Sequence, residues 1–208
     1  MLKKRELKKE QEKLAQKVIV QDTFEKIKLV AGINQAHFGE KIISAIVLMD
    51  IKTLKIIEKQ YSIMETNTPY LPNYRAYREA PIIVETFNKL KQKPDLLLLE
   101  GNGILHPRRI GLASHIGILI DTPTIGISKT VTCGEILDNS VYIEKEARAK
   151  KIITKEHANP IFVSPGHKIS LKTSIEIIKK IIQKHKLPEP LHQAHNFATK
   201  IKKNLKKN

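Results

Sequence analysis

A carboxylate closes a run of four leucines: Leu96–Leu99 is followed by Glu100 and then by Gly101-Asn102-Gly103. Consecutive leucines of this kind read as a strand buried on both faces. In an open α/β sheet the carboxyl ends of strands face the ligand crevice, so Glu100 is placed to hold a metal ion; the same residue also reads as an ordinary acid before a turn. Gly101 and Gly103 allow close backbone approach, and their N–H groups suit a base or a phosphate. They do not extend into GxGxxG, and no Lys-Ser or Lys-Thr follows at Walker spacing, which argues against a nucleoside triphosphate site. The next stretch, Leu105–Gly117 (LHPRRIGLASHIG), brings Arg108 and Arg109 within reach of phosphates and sets the backbone of Gly111, Leu112 and Ala113 at a helix start, where anionic or polar groups bind. A plain surface loop would carry the same residues, and His115 reads as structural as readily as catalytic. Upstream, Pro69-Tyr70-Leu71-Pro72 is stiff and has an aromatic ring inside it. Such a segment suits a wedge driven into a base stack, and equally a strand-to-helix loop. His192 and His195 stand three apart on an expected helix, but without a nearby Cys or Asp no zinc site is expected.

Residues of this kind need a frame. Three β-rich runs, residues 27–33, 41–50 and 54–64, are joined by short links that favour antiparallel neighbours. The segment 74–92 has helical spacing, with Pro81 expected to kink the helix or mark its true start. A strand at 96–99, a helix at 111–120 and a strand at 124–128 complete a β-α-β alternation. Antiparallel hairpin strands followed by parallel β-α-β units describe an α/β, ribonuclease H-like mixed sheet with helices on both faces. Residues 132–163 read as a smaller strand-rich insertion, and Ser170–Lys184 as an amphipathic helix capped by Ser170. The expectation is one domain over residues 1–208, with a charged surface helix within 1–20, a basic helix from Leu191 and a basic tail over 199–208.

Lys and Arg number 37 against 21 Asp and Glu, a formal charge of +16, so the surface presents a broad positive field that suits phosphate-rich polymers. An AT-rich genome or a heat-adapted surface would produce the same richness in Lys and Ile. No apolar run reaches 18 residues and no signal-peptide pattern is present, which argues against a membrane protein. Cys133 is the single cysteine, which excludes an internal disulfide framework and fits a reducing cytoplasm.

The blocks TPYLPNYRAYREAP, PDLLLLEGNGILHPRRIGLASHIGILIDTPTIGISKT, VSPGHKIS and KLPEPLHQAH, with a weaker match at LVAGIN, closely resemble endonuclease V over about residues 27–198. The resemblance implies a ribonuclease H-like nuclease that uses Mg²⁺, with Mn²⁺ as a possible substitute. It would hydrolyse the second phosphodiester on the 3′ side of inosine or deoxyinosine, in RNA or DNA. By position, the family's metal-binding acids fall on Asn34, Glu79 and Glu100, with His195 completing the site and Lys129 near the scissile phosphate. Glu79, Glu100, Lys129 and His195 would be the catalytic set. Pro69, Tyr70, Leu71 and Pro72 match the strand-separating wedge. Gly103, His106, Gly111, Leu112 and Ala113 match the pocket for the extruded base, which goes together with a wedge because extrusion is costly.

The chain departs from the family at Asn34 and Glu100, both normally aspartate, at Asn102, normally histidine, and at Asn73, usually glycine. Asn34 keeps a ligand oxygen but loses a charge, whereas Glu100 keeps the charge and reaches about 1 Å further. Weaker cation binding is the expectation. The alternative is a homologue that binds inosine-containing or distorted strands without cutting. A monomer is expected, and neither DNA nor RNA is favoured by the residues alone.

Overall fold

The computed structural model describes residues 4–206; residues 1–3 and 207–208, which belong to the expected terminal helix and basic tail, lie outside the described residues. Among the described residues nine strands form one sheet. They are β1 (Leu29–Phe38), β2 (Lys41–Asp50), β3 (Ile56–Glu65), β4 (Leu96–Glu100), β5 (Thr124–Ser128), β6 (Glu135–Leu137), β7 (Ser140–Ile143), β8 (Glu146–Ile152) and β9 (Ile161–His167). Their spatial order is β3-β2-β1-β4-β5-β9-β8-β7-β6. The pairs β1–β4 and β4–β5 are parallel and the others antiparallel. This is the ribonuclease H-like mixed sheet that the order of elements predicts.

The leucine strand explains the layering. All four leucines of β4 are fully buried. Alternate side chains point to opposite faces, so Leu96 and Leu98 enter one core while Leu97 and Leu99 enter the other. The first core is closed by α4 (Leu171–Ile181) and α5 (Glu189–Leu205), through Ile177, Ile178, Ile181, Leu191 and Ala194. The second is closed by α2 (Arg75–Asn88) and α3 (Leu112–Ile120), through Ala76, Ile83, Phe87, Leu112 and Ile116. Helices thus cover both faces. Gly32 in β1 is what lets α5 come close, because a Cβ there would lie 2.2 Å from the Pro190 carbonyl oxygen.

Several expectations need correction. The helix expected over 74–92 begins at Arg75, so Pro81 lies inside it and does not start it. The span 132–163 is no separate insertion. Strands β6 to β8 extend the main sheet, and β9 runs on to His167 with every residue buried. Pro165 and Gly166 lie inside β9, where the ladder with β5 shifts register between Thr124 and Ile125, an irregularity that tolerates a proline. Ser170 does cap α4, its hydroxyl accepting from the Thr173 N–H at 3.1 Å. At the other end of the chain, α1 (Lys4–Ala15) is mostly exposed as expected, yet Leu7 and Gln11 are buried.

Candidate active site

The parallel pairing of β1 and β4 aligns Ile33 with Leu99, so the next residue of each strand, Asn34 and Glu100, emerges at the same sheet end. There the Asn34 amide nitrogen donates to Glu100 Oε2 at 2.6 Å. The other carboxylate oxygen of Glu100 faces Lys129 Nζ at 2.5 Å, reached from the end of β5. Helix α2 delivers Glu79, which is 1% exposed. Arg75, one turn earlier, donates from Nε to Glu79 Oε1 at 2.8 Å and from Nη1 to the Glu100 carbonyl at 2.9 Å, so one guanidinium ties the helix to the strand end. His37 Nε2 lies 3.6 Å from the same Oε1. Burial pushes the Glu79 carboxyl up, but hydrogen bonds from His37 and Arg75 and the Arg75 charge outweigh it and hold the group below the usual carboxylate range. It is therefore ionised at neutral pH.

Asn34, Glu79, Glu100 and His195 line one open cleft of about 440 Å³, together with Gln35, His37, Tyr70, Arg75 and Arg78. Among the described residues no three His, Cys, Asp or Glu side chains are grouped so as to hold a metal ion, and in the cleft Asn34 presents an amide beside Glu79 and Glu100. The donor set still fits a hard cation on one observation. Glu79 Oε2 is buried without a hydrogen-bond partner, and an orphaned carboxylate oxygen in a polar cleft is what such an ion would satisfy.

A second cavity of about 410 Å³ opens beside this cleft and shares Tyr70, Arg75 and Glu100 with it. Its wall includes Pro72, Gly101, Asn102, His106, Gly111, Leu112, Ser128 and Lys129. Tyr70 is 60% exposed at the boundary of the two, preceded by exposed Pro69 and followed by half-buried Leu71. Other expected pocket residues sit deeper. Gly103 is packed so tightly on β9 that a Cβ would meet the Pro165 oxygen at 2.0 Å. The Gly111 and Ala113 N–H groups donate to the Gly103 and Asn102 carbonyls, both at 2.9 Å, and so bind the helix start to the turn. His106 is buried. Its Nε2 pairs with the Asn73 carbonyl at 3.0 Å, and its Nδ1 accepts from the Arg108 N–H at 3.2 Å, which fixes the neutral Nε2–H tautomer. Burial is the main cause that brings its pKa down to about 4.

The two arginines expected to grip phosphates are held by protein partners. Arg109 Nε and Nη2 pair with Glu146 of β8 at 2.8 to 3.1 Å, and Arg109 itself adopts a left-handed backbone, φ 59°. Arg108 donates from Nε to Gln11 Oε1 at 2.5 Å and stacks over the Tyr74 ring at 4.7 Å. Arg148 Nη1, also on β8, donates to the His106 carbonyl at 2.9 Å. The β6–β9 extension thus braces the cavity wall. Two more histidines take defined places: His37, exposed, lines the cleft, and His167 is buried with its Nδ1 accepting from the Ile19 N–H at 3.3 Å. Arg75 was legible as a partner four residues before Glu79. Gln35 and His37 were hidden because β1 runs to Phe38, five residues past its expected end.

The family profile of endonuclease V matches residues 12–196. The chain belongs to the endonuclease V family. An endonuclease V from Dictyoglomus turgidum is 40% identical over 199 residues, covering 92% of this chain and 87% of that one. The enzyme of the same name from Geotalea uraniireducens is 34% identical over 97% of this chain and 89% of its own. Among solved structures, endonuclease V from Bacillus subtilis superposes with a TM-score of 0.92 at 30% identity, covering all of this chain and 95% of that one. Ciona intestinalis endonuclease V, crystallised with a 23mer DNA containing an inosine followed by a ribo-adenosine, gives 0.87 at 30% identity, with 97% of each chain covered.

Proposed function

We propose that this endonuclease V family member hydrolyses a phosphodiester on the 3′ side of deoxyinosine or inosine in DNA or RNA, using Mg²⁺ or Mn²⁺. The observation that carries the reading is the junction of two cavities at Tyr70 and Glu100: one lined by the carboxyl groups of Glu79 and Glu100, the other walled by a glycine turn and large enough for a base. A base lifted from a stack needs a pocket beside the reacting phosphate, and the inosine-bearing DNA of the Ciona relative supplies the class of lesion.

Glu79, Glu100, Asn34 and His195 would hold the cation. When bound, the cation supplies a lowered pKa to the attacking water and charge balance for the leaving oxygen. Arg75 fixes the Glu79 carboxylate and the strand end at once. Lys129 stands where a phosphate oxygen can take over its pairing with Glu100. Tyr70, held by flanking prolines, offers a face for the base stack to break on. The charge of +16 draws in the backbone. A monomer acting in the cytoplasm is part of the same proposal; among the described residues no helix is long and apolar enough to cross a membrane.

A second reading, recognition without cleavage, is favoured by the Asn34–Glu100 hydrogen bond, which gives the two strand-end side chains a partner other than a cation. Incubating the protein with inosine-containing and control DNA and RNA, in Mg²⁺ or Mn²⁺, separates the two. Nicking confined to inosine substrates is expected. Tight inosine binding with no nicking, together with nicking restored by Asn34→Asp, would establish the second reading.

A further inference from the structure

Helix α1 is polar along most of its surface, yet Gln11 at its middle is 1% exposed and both ends of its amide are engaged. Gln11 Nε2 donates to the Asn73 carbonyl at 2.8 Å, and Oε1 accepts from Arg108 Nε at 2.5 Å. Neither contact serves the helix. Asn73 is the third residue of the turn Leu71–Tyr74, which overlaps the end of Pro69-Tyr70-Leu71-Pro72, and it adopts φ 65°, a left-handed conformation that asparagine tolerates better than most residues. Its carbonyl collects three donors: Gln11, His106 Nε2 at 3.0 Å and, at the edge of range, Arg108 Nη2 at 3.5 Å. The turn is closed by the Tyr74 N–H donating to the Leu71 carbonyl at 3.0 Å. A hinge next to an exposed aromatic is thereby pinned from an element far away in sequence. A second tether, the Tyr77 hydroxyl donating to the Leu7 carbonyl at 3.2 Å, holds α1 to α2.

We propose that Gln11 is a positioning residue that locks the Asn73 turn and so holds Tyr70 stiff enough to open a duplex. This rests on the wedge role given to Tyr70 above. Without the Gln11 donor the carbonyl keeps His106, but the turn loses its anchor to α1, and a wedge on a loosened hinge yields to the base stack. The demand exists only where strands must be parted; an inosine already in a single strand makes no such call on Tyr70. Gln11→Ala removes both contacts. Gln11→Glu retains the acceptor for Arg108 and a similar shape but cannot donate to Asn73 at neutral pH.

The full chain and both variants would be titrated with a duplex carrying one deoxyinosine and a 2-aminopurine beside it, whose fluorescence rises on unstacking, and with the same strand alone. Both variants are expected to lose affinity and unstacking signal on the duplex by about tenfold more than on the single strand, as befits one anchoring hydrogen bond. Equal losses on the two substrates, or Gln11→Glu matching the unsubstituted protein on the duplex, would overturn the positioning role. If the unsubstituted protein shows no inosine preference on either substrate, the function proposed above falls, and this role with it.

Discussion

A single atom separates the two chemistries available at the strand ends. An amide at position 34 donates to Glu100 at 2.6 Å, whereas a carboxylate in its place would set two anions at hydrogen-bonding distance. Such a pair is tolerable only with a proton or a cation between the oxygens. Asn34→Asp is therefore expected to lower thermal stability in EDTA, on the order of 5 °C for a penalty of about 1–3 kcal/mol, and to regain it when Mn²⁺ is added, through preferential binding to the folded state. The unsubstituted protein should respond far less to the ion. Melting curves with and without metal decide this without any cleavage assay. An Asn34→Asp variant as stable in EDTA as its parent would mean that the Glu100–Lys129 pair absorbs the second charge. Glu79 behaves differently, because Arg75 already balances it and its free oxygen points to no protein donor.

The turn and helix that form the cavity wall carry two histidines in uncharged form. His106 and His115 are both pushed down to about 4, in each case mainly by burial. Their folded pKa lies below the unfolded value near 6.5, so between these limits the unfolded chain binds more protons and stability falls as pH falls. The contribution is complete above pH 6.5 and is lost progressively toward pH 4, on the order of a few kcal/mol for the pair; Glu79, with its depressed carboxyl, adds a loss in a lower window. Urea unfolding at a series of pH values should show this decline. His115→Leu should flatten part of it, since the buried His115 Nδ1 has no partner to lose. A stability constant from pH 7 to 5 would contradict the buried, neutral assignment. These same elements show what a sequence discloses. The leucine strand, the Ser170 cap and β5 were legible because each is determined by residues within a few positions. Strand β9, the brace from Glu146 and Arg148, and the buried amide of Gln11 were not, because partners 37 to 97 residues away define them. The candidate site was readable in the same measure: Glu79, Glu100 and Tyr70 lie in blocks that stand out, while the pairing of Arg108 with Gln11 and of Arg109 with Glu146 depends on partners far away in the chain.

At the scale of the molecule, charge and shape divide the work of recognition. An excess of 37 cationic over 21 anionic side chains attracts any nucleic acid, because each neutralised phosphate releases counterions. That part of the affinity must be steep in salt: with six or more phosphate contacts, binding to undamaged duplex should weaken by about 10³-fold between 50 and 200 mM NaCl. The cavity behind Tyr70 contributes differently. Its walls are backbone turns, a neutral imidazole and mostly uncharged side chains, with Arg75 and Glu100 shared with the cleft and Lys129 also lining it. Contacts to an extruded base displace no counterions, so the ratio of inosine to control affinity should stay within about threefold over the same salt range, even as both affinities fall. Fluorescence anisotropy on matched duplexes measures both quantities in one series. A ratio near one at every salt concentration would leave only a basic architectural protein. A ratio that collapses with salt would move lesion recognition out of the pocket and onto the phosphates, where the arginines held by Gln11 and Glu146 offer little to recognise it with.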